Sequence, residues 1–166
     1  MTAFRLSLAV LGLSLLVACG FKPRGALEVP PDVGPLRVEA RDPYDPVAAG
    51  LTRALQRAEV LAPEDFEQDT GTLRLVGQRW EDGPLLVDDT ARVREWATRY
   101  IVTFELDGPG GDAVMPRQTV ELSREYDYDA TAAFGTGEEQ EVIREELERG
   151  MVAAILRRVD AALGSR

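Results

Sequence analysis

The sequence predicts an α+β fold, a β-α-β-β-β-α two-layer sandwich with two helices packed on one face of a four-stranded sheet. Three observations carry this. First, residues 96–106 alternate without a break, with Trp96, Thr98, Tyr100, Val102, Phe104 and Leu106 on one face and Ala97, Arg99, Ile101, Thr103 and Glu105 on the other. Period two is the signature of a strand. Second, residues 47–60 and 137–163 space their apolar side chains at helical intervals. Third, each helix has a single apolar stripe, and one face of a sheet can bury both.

The elements follow in order. Residues 20–35 hold Pro23, Pro30, Pro31, Pro35 and three glycines. Proline lacks an amide donor and clashes with the preceding turn, so this segment reads as a tether. "PLRVEA" alternates and is the first strand; "RDPYDP", with two Asp-Pro steps, is a turn. The first helix buries Val47, Leu51, Ala54, Leu55 and Ala58, with Asp45 as N-cap, Pro46 at its first position and Pro63 ending the region. Residues 72–80 form the second strand, continuing through "PLLVDD" after a bend at Gly83 and Pro84. "DGPGGDAVMP" is a loop, and residues 117–129 are the fourth strand, with Val120, Leu122, Arg124 and Tyr126 on one face. In the last helix the stripe is Val142, Ile143, Leu147, Met151, Ala154, Ile155, Val159 and Leu163. Thr136 and Glu139 have capping-box spacing, glutamates crowd the first half, and Gly164 is the stop.

Composition narrows the chemistry. The 166 residues are 45% apolar and 29% charged, which suits a globular domain. The net charge of −10 argues against nucleic acid, where affinity rests on cations releasing counterions. There is no histidine, so the commonest general base and metal ligand are missing, and Ser123 has nothing to activate it. The carboxylate runs "EYDYD" and "DD" lack the spacing of a calcium loop, and "GPGG" lacks the lysine of a P-loop. No enzyme activity, metal or cofactor is expected.

The N-terminus is more specific. Arg5 precedes an apolar run from Leu6 to Val17. Twelve helical residues rise about 18 Å, short of the roughly 30 Å of a bilayer core, so 1–18 reads as a cleaved signal peptide. Leu16, Val17, Ala18 and Cys19 resemble the lipobox of bacterial lipoproteins, in which the cysteine is acylated and becomes the first mature residue. Gly20 in place of aspartate leans towards the outer membrane. Acylated Cys19 would anchor the chain without a transmembrane helix. The domains are then 1–18, removed; 19–35, lipidated start and tether; and 36–166, one α+β domain.

Arginines supply the candidate ligand site. Arg92, Arg94 and Arg99 gather around the turn into the third strand, and Arg117 and Arg124 lie on the fourth. Guanidinium groups donate in a fork that fits phosphate, here beside Trp96 and Tyr100. Cross-strand pairing with Glu95, Glu105, Glu121 and Glu125 is the alternative use.

Taken together, the chain resembles the LPS-assembly lipoprotein family LptE. The residues that carry this are "ACGFKPRG" (a Cys-Gly-aromatic-x-x-Arg start), Thr98 and Tyr100 entering the third strand, Arg124 in the fourth, and the long last helix opening "EEQEVIREEL". The resemblance implies a non-enzymatic outer-membrane lipoprotein that plugs the β-barrel LptD, assists its assembly and binds lipopolysaccharide. It implies binding by basic residues near a strand-turn tip, here Arg92 and Arg94 with Arg99 and Arg124. Some family members carry a lysine just before the last helix; this chain has "GTGEEQ" there. The other reading is an accessory lipoprotein of a phospholipid-transport or barrel-assembly complex.

Overall fold

A computed structural model describes residues 27–64, 66, 69–87, 93–127 and 136–165. The elements are β1 (Leu36–Ala40), α1 (Pro46–Arg57), β2 (Gly71–Val87), β3 (Val93–Asp107), β4 (Ala113–Asp127) and α2 (Thr136–Gly164). This is the predicted order. The sheet runs β1-β2-β3-β4, with β1 parallel to β2 and the other pairs antiparallel. A parallel pair needs a crossover, and α1 supplies it.

The pairing defines two ends. At the base, Leu36 pairs with Gly71, Thr72 with Asp107, and Asp107 with Ala113. The end of α1 is also there, since the Leu36 N–H donates to the Val60 carbonyl at 2.8 Å. At the tip, Val87 pairs with Val93, and Glu95 with Asp127. Residues 88–92 and 128–135 lie outside the described residues. The 17 residues of β2 span about 56 Å at roughly 3.3 Å each. The 29 residues of α2 span about 43 Å at roughly 1.5 Å each.

Local chemistry explains the boundaries. Asp45 caps α1, its Oδ1 accepting from the Ala48 N–H at 2.7 Å. The helix stops at Arg57, short of the predicted Val60, in a Schellman turn. The Val60 N–H donates to the Leu55 carbonyl and the Glu59 N–H to that of Gln56, both at 3.1 Å. Glu59 takes φ +60, a conformation that costs a non-glycine residue about 1 kcal/mol. With no glycine there, nothing in the local sequence marks the stop.

Two strands differ from expectation. β2 passes through Gly83 and Pro84 as one strand, and its register shifts between Leu75 and Gly77. The shift changes which residues face the helices, from Leu73 and Leu75 before it to Gln78, Trp80 and Asp82 after it. β4 begins at Ala113, so only 108–112 are loop and Pro116 lies inside the strand. Proline is tolerated there because β4 is an edge and a register shift falls opposite, between Phe104 and Leu106. The predicted stretch 128–129 lies outside the described residues.

Both helices cover one face of the sheet, and their buried side chains join its own in a single core that includes Leu51, Leu73, Phe104, Met151 and Ile155. The α2 stripe is buried as predicted except at Val142, which is 55% exposed. Ile143 takes the sheet-facing position, and its neighbour, about 100° around the helix, points outward. The helix also includes Thr136 and Gly164, read from the sequence as its cap and its stop. The two helices meet at Gly50, where a Cβ would lie 2.6 Å from Val152 Cγ2. On the other side of α2, Arg158 Nη1 donates to the Thr119 carbonyl on β4 at 2.8 Å.

Candidate functional site

The helix-facing side of the long hairpin carries a polar chain. Gln78 Nε2 donates to Asp45 Oδ2, and the Tyr100 hydroxyl donates to Gln78 Oε1. The Tyr100 ring stacks on Trp80, with centroids 3.9 Å apart and planes 10° from parallel. Arg144 of α2 lies 5.4 Å over Trp80 and bonds Asp82 at 3.3 Å. Asp82 also accepts from Thr98 Oγ1 at 2.7 Å. Burial, and then the charges of Asp45 and Glu148, push the Tyr100 hydroxyl well above its usual range. It therefore stays protonated and acts as a donor. This chain fastens the start of α1 and the first half of α2 to the hairpin.

Glu148 stands beside it with its carboxyl pushed up, first by burial and then by Asp45, Glu145 and Glu141, against the opposing pull of Arg144. The folded pKa is raised, so ionised Glu148 weakens the fold above that pKa. The cost shrinks as pH falls below it and is gone once pH drops below the ordinary carboxylate value. Glu148→Gln is expected to raise the melting temperature at about pH 7 and leave it unchanged at about pH 4. An equal shift at both would show that the ionised carboxylate is not the cause.

The opposite face is an ion-pair lattice. Arg74 bonds Glu39 at 3.3 Å, Glu105 at 3.2 Å and Asp107 at 2.9 Å, and Arg117 reaches Glu105 at 3.1 Å. Burial pushes the Glu105 carboxyl up, but hydrogen bonds from Arg117 and Arg74 outweigh this and hold it below the usual range. Further up, Arg79 pairs with Glu81 at 2.7 Å. Ile101 sits within the lattice only 3% exposed, between Arg79 and Glu121 on the flanking strands. Long charged side chains shield it with their aliphatic stems.

The candidate arginines do not converge. Arg99 is on the lattice face, 3.7 Å from Glu81 and 3.8 Å from Glu121. Arg124, opposite Thr98 in the register, is on the helix face, 3.4 Å from Glu146. Arg94 is on β3 next to the tip. Arg92 and Cys19 lie outside the described residues. Cross-strand pairing accounts for Arg99 and Arg117, while Arg124 pairs with the helix. Sequence reasoning missed Gln78, Asp82 and Arg144; only the register shift in β2 reveals that the first two face the helices. Among the described residues no acidic or cysteine cluster could hold a metal, and no helix is long and apolar enough to cross a membrane.

The fold defines a class. It matches lipoprotein B from Nitrosomonas europaea with a TM-score of 0.71 at 22% identity, covering 86% of this chain and 91% of that one. It also matches the rare lipoprotein B from Shewanella oneidensis with a TM-score of 0.67 at 23% identity, covering 77% and 95%. Both share the α+β sandwich of this chain. The family is narrower. The family model of LptE, lipopolysaccharide-assembly, matches residues 33–159, and the chain belongs to that family. LPS-assembly lipoprotein LptE of Yersinia enterocolitica is 27% identical over 158 residues, covering 93% of this chain and 75% of that protein. LPS-assembly lipoprotein LptE of Pectobacterium atrosepticum is 26% identical over 165 residues, covering 98% and 89%. The family is one of lipoproteins of lipopolysaccharide assembly in the cell envelope, and it is not a known enzyme family.

Proposed function

We propose that the chain is an outer-membrane lipoprotein that plugs the LptD β-barrel, assists its assembly and binds lipopolysaccharide on its way to the outer leaflet. Residues 1–18 are removed, Cys19 carries the acyl chains, 19–35 link it to the domain with Leu27, Val29 and Val33 packed on the core, and 36–166 are the plug. The observation that carries this is the separation of the two ends. The chain enters at the base, through Val33 and Leu36, and Arg94, two residues after Arg92 in the sequence, is on β3 at the tip. The length of β2, about 56 Å, exceeds the roughly 40–45 Å of a bilayer with its headgroups. A domain held by its base at the inner leaflet can therefore present its tip at the outer one. Its charged lattice face forbids contact with lipid tails on the way. A polar barrel lumen removes that conflict.

At the tip, the work is recognition without bond making. Arg92 and Arg94 would offer forked donors to the phosphates of lipid A or the core. Arg99 and Arg124 contribute less, because each already faces a carboxylate. Arg92→Asp/Arg94→Asp is expected to weaken lipopolysaccharide binding by at least about tenfold, since a charged hydrogen bond is worth roughly 1.5–3 kcal/mol. Unchanged binding removes the ligand role and leaves the plug role standing. The plug role is tested by purifying the lipidated chain in detergent and identifying what accompanies it. A large barrel is expected; an inner-membrane phospholipid transporter or the barrel-assembly complex in its place would overturn the reading.

A further inference from the structure

We propose that the groove between the base halves of α1 and α2 is the seat of Phe21. On this inference the N-terminal segment docks on its own domain before it reaches Cys19. The groove holds about 300 Å³ and is lined by Leu27, Ala54, Leu55, Ala58 and Leu156, with Arg157 and Asp160 at its rim. The hollow has a simple origin. The helices touch at Gly50 and Val152. One and two turns further on, Ala54 and Ala58 are too short to fill the space opposite Leu156.

Three observations on this chain name the occupant. Leu27 is a wall of the groove and packs against the core, so the chain preceding it departs from the groove itself. Phe21 is six residues away and can reach no further than about 20 Å, which keeps it within range. In "GFKPRGA", residues 20–26, Phe21 is the only large apolar side chain. An aromatic ring buries a large area for the loss of two rotatable bonds. The rim offers charge as well. Asp160 and Arg157 have no hydrogen bond or ion pair with described residues, which leaves the Asp160 carboxylate available to Lys22 or Arg24. Pro23 stiffens the segment and lowers the entropy lost on docking.

The docking does not depend on the membrane reading, but it has a consequence within it. Phe21 is two residues from Cys19, so the acyl chains would attach within about 7 Å of the seated ring. The base would be held at the leaflet surface, and the segment between anchor and domain would be fixed instead of free.

The test uses the full chain in detergent and follows trypsin cleavage after Arg24. Cleavage needs the segment to leave the groove, so Phe21→Ser should accelerate it about tenfold without changing the melting of the domain. Ala58→Trp, which fills the groove, should do the same. If that variant does not fold, Phe21→Ser carries the test alone. A photoreactive phenylalanine analogue at position 21 should attach to Ala54, Ala58 or Leu156 of the same chain. Unchanged cleavage in Phe21→Ser, or attachment to detergent, to a second copy or to another face, overturns the proposal. Neither readout involves lipopolysaccharide or a barrel, so each role can fail without the other.

Discussion

Gly34→Ala is expected to cost the fold more than about 3 kcal/mol, a large share of the roughly 5–15 kcal/mol that holds a typical domain together. Gly34 sits at φ +68, and a Cβ there would lie 1.9 Å from the Asp69 carbonyl oxygen and 3.0 Å from its carbon. Those atoms are backbone and cannot swing aside. Nor can Gly34 retreat. Its N–H donates to the Pro30 carbonyl at 3.2 Å, and the next residue, Pro35, accepts from the Gly71 N–H at 2.9 Å. The left-handed conformation alone costs alanine about 1–2 kcal/mol. Relieving the overlap means parting β1 from β2 where their pairing begins. Melting followed by circular dichroism should show a drop of about 10 °C. A melting temperature within a degree or two of the parent's would mean that the turn can rearrange. Gly137→Ala is the control: a Cβ there would meet nothing within 4 Å, and on a helix the change should be neutral or mildly stabilising.

The second large effect is at Asp45. Asp45→Ala removes the cap of α1, worth about 0.5–2 kcal/mol. It also removes the acceptor of the Gln78 amide; Gln78 is exposed and water can replace that acceptor, so this adds only roughly 0.5–1.5 kcal/mol. The expected total is about 2 kcal/mol, read as a lower denaturant midpoint at constant slope. Asp45→Asn separates the two contributions. Its carbonyl oxygen can keep the Ala48 N–H. Its amide can donate to Gln78 if that side chain flips, because the Tyr100 hydroxyl can accept as well as donate. Asparagine should therefore cost less than about 1 kcal/mol. If asparagine proved as damaging as alanine, the charge of Asp45 would matter more than its hydrogen bonds.

Element types and their order were legible in the sequence because they rest on periodicity. The alternation through residues 96–106 and the stripe from Ile143 to Leu163 survive folding nearly unchanged. What was not legible depends on events one residue long. The shift at Val76 turns Gln78 and Asp82 towards the helices, and no periodicity announces it. The end of α1 depends on Glu59 taking a glycine-like conformation. The candidate site shows the same limit. Arg99 and Arg124 are neighbours in any roll of arginines near the third and fourth strands. Yet the alternation that identifies those strands also places the two on opposite faces, since their cross-strand partners are Ser123 and Thr98.

The edge formed by β4 has a consequence for the time before any partner is met. Fifteen residues of strand, with one side unpaired in the sheet order, form a template on which a second copy could polymerise. The Arg158 guanidinium occupies one outward carbonyl, that of Thr119. Beyond it come Glu121 and Glu125. In the antiparallel register centred on Ser123, Glu121 of one molecule would fall opposite Glu125 of the other, and like charges so placed repel. In that register, the two glutamates make the edge a poor neighbour for a second copy of itself.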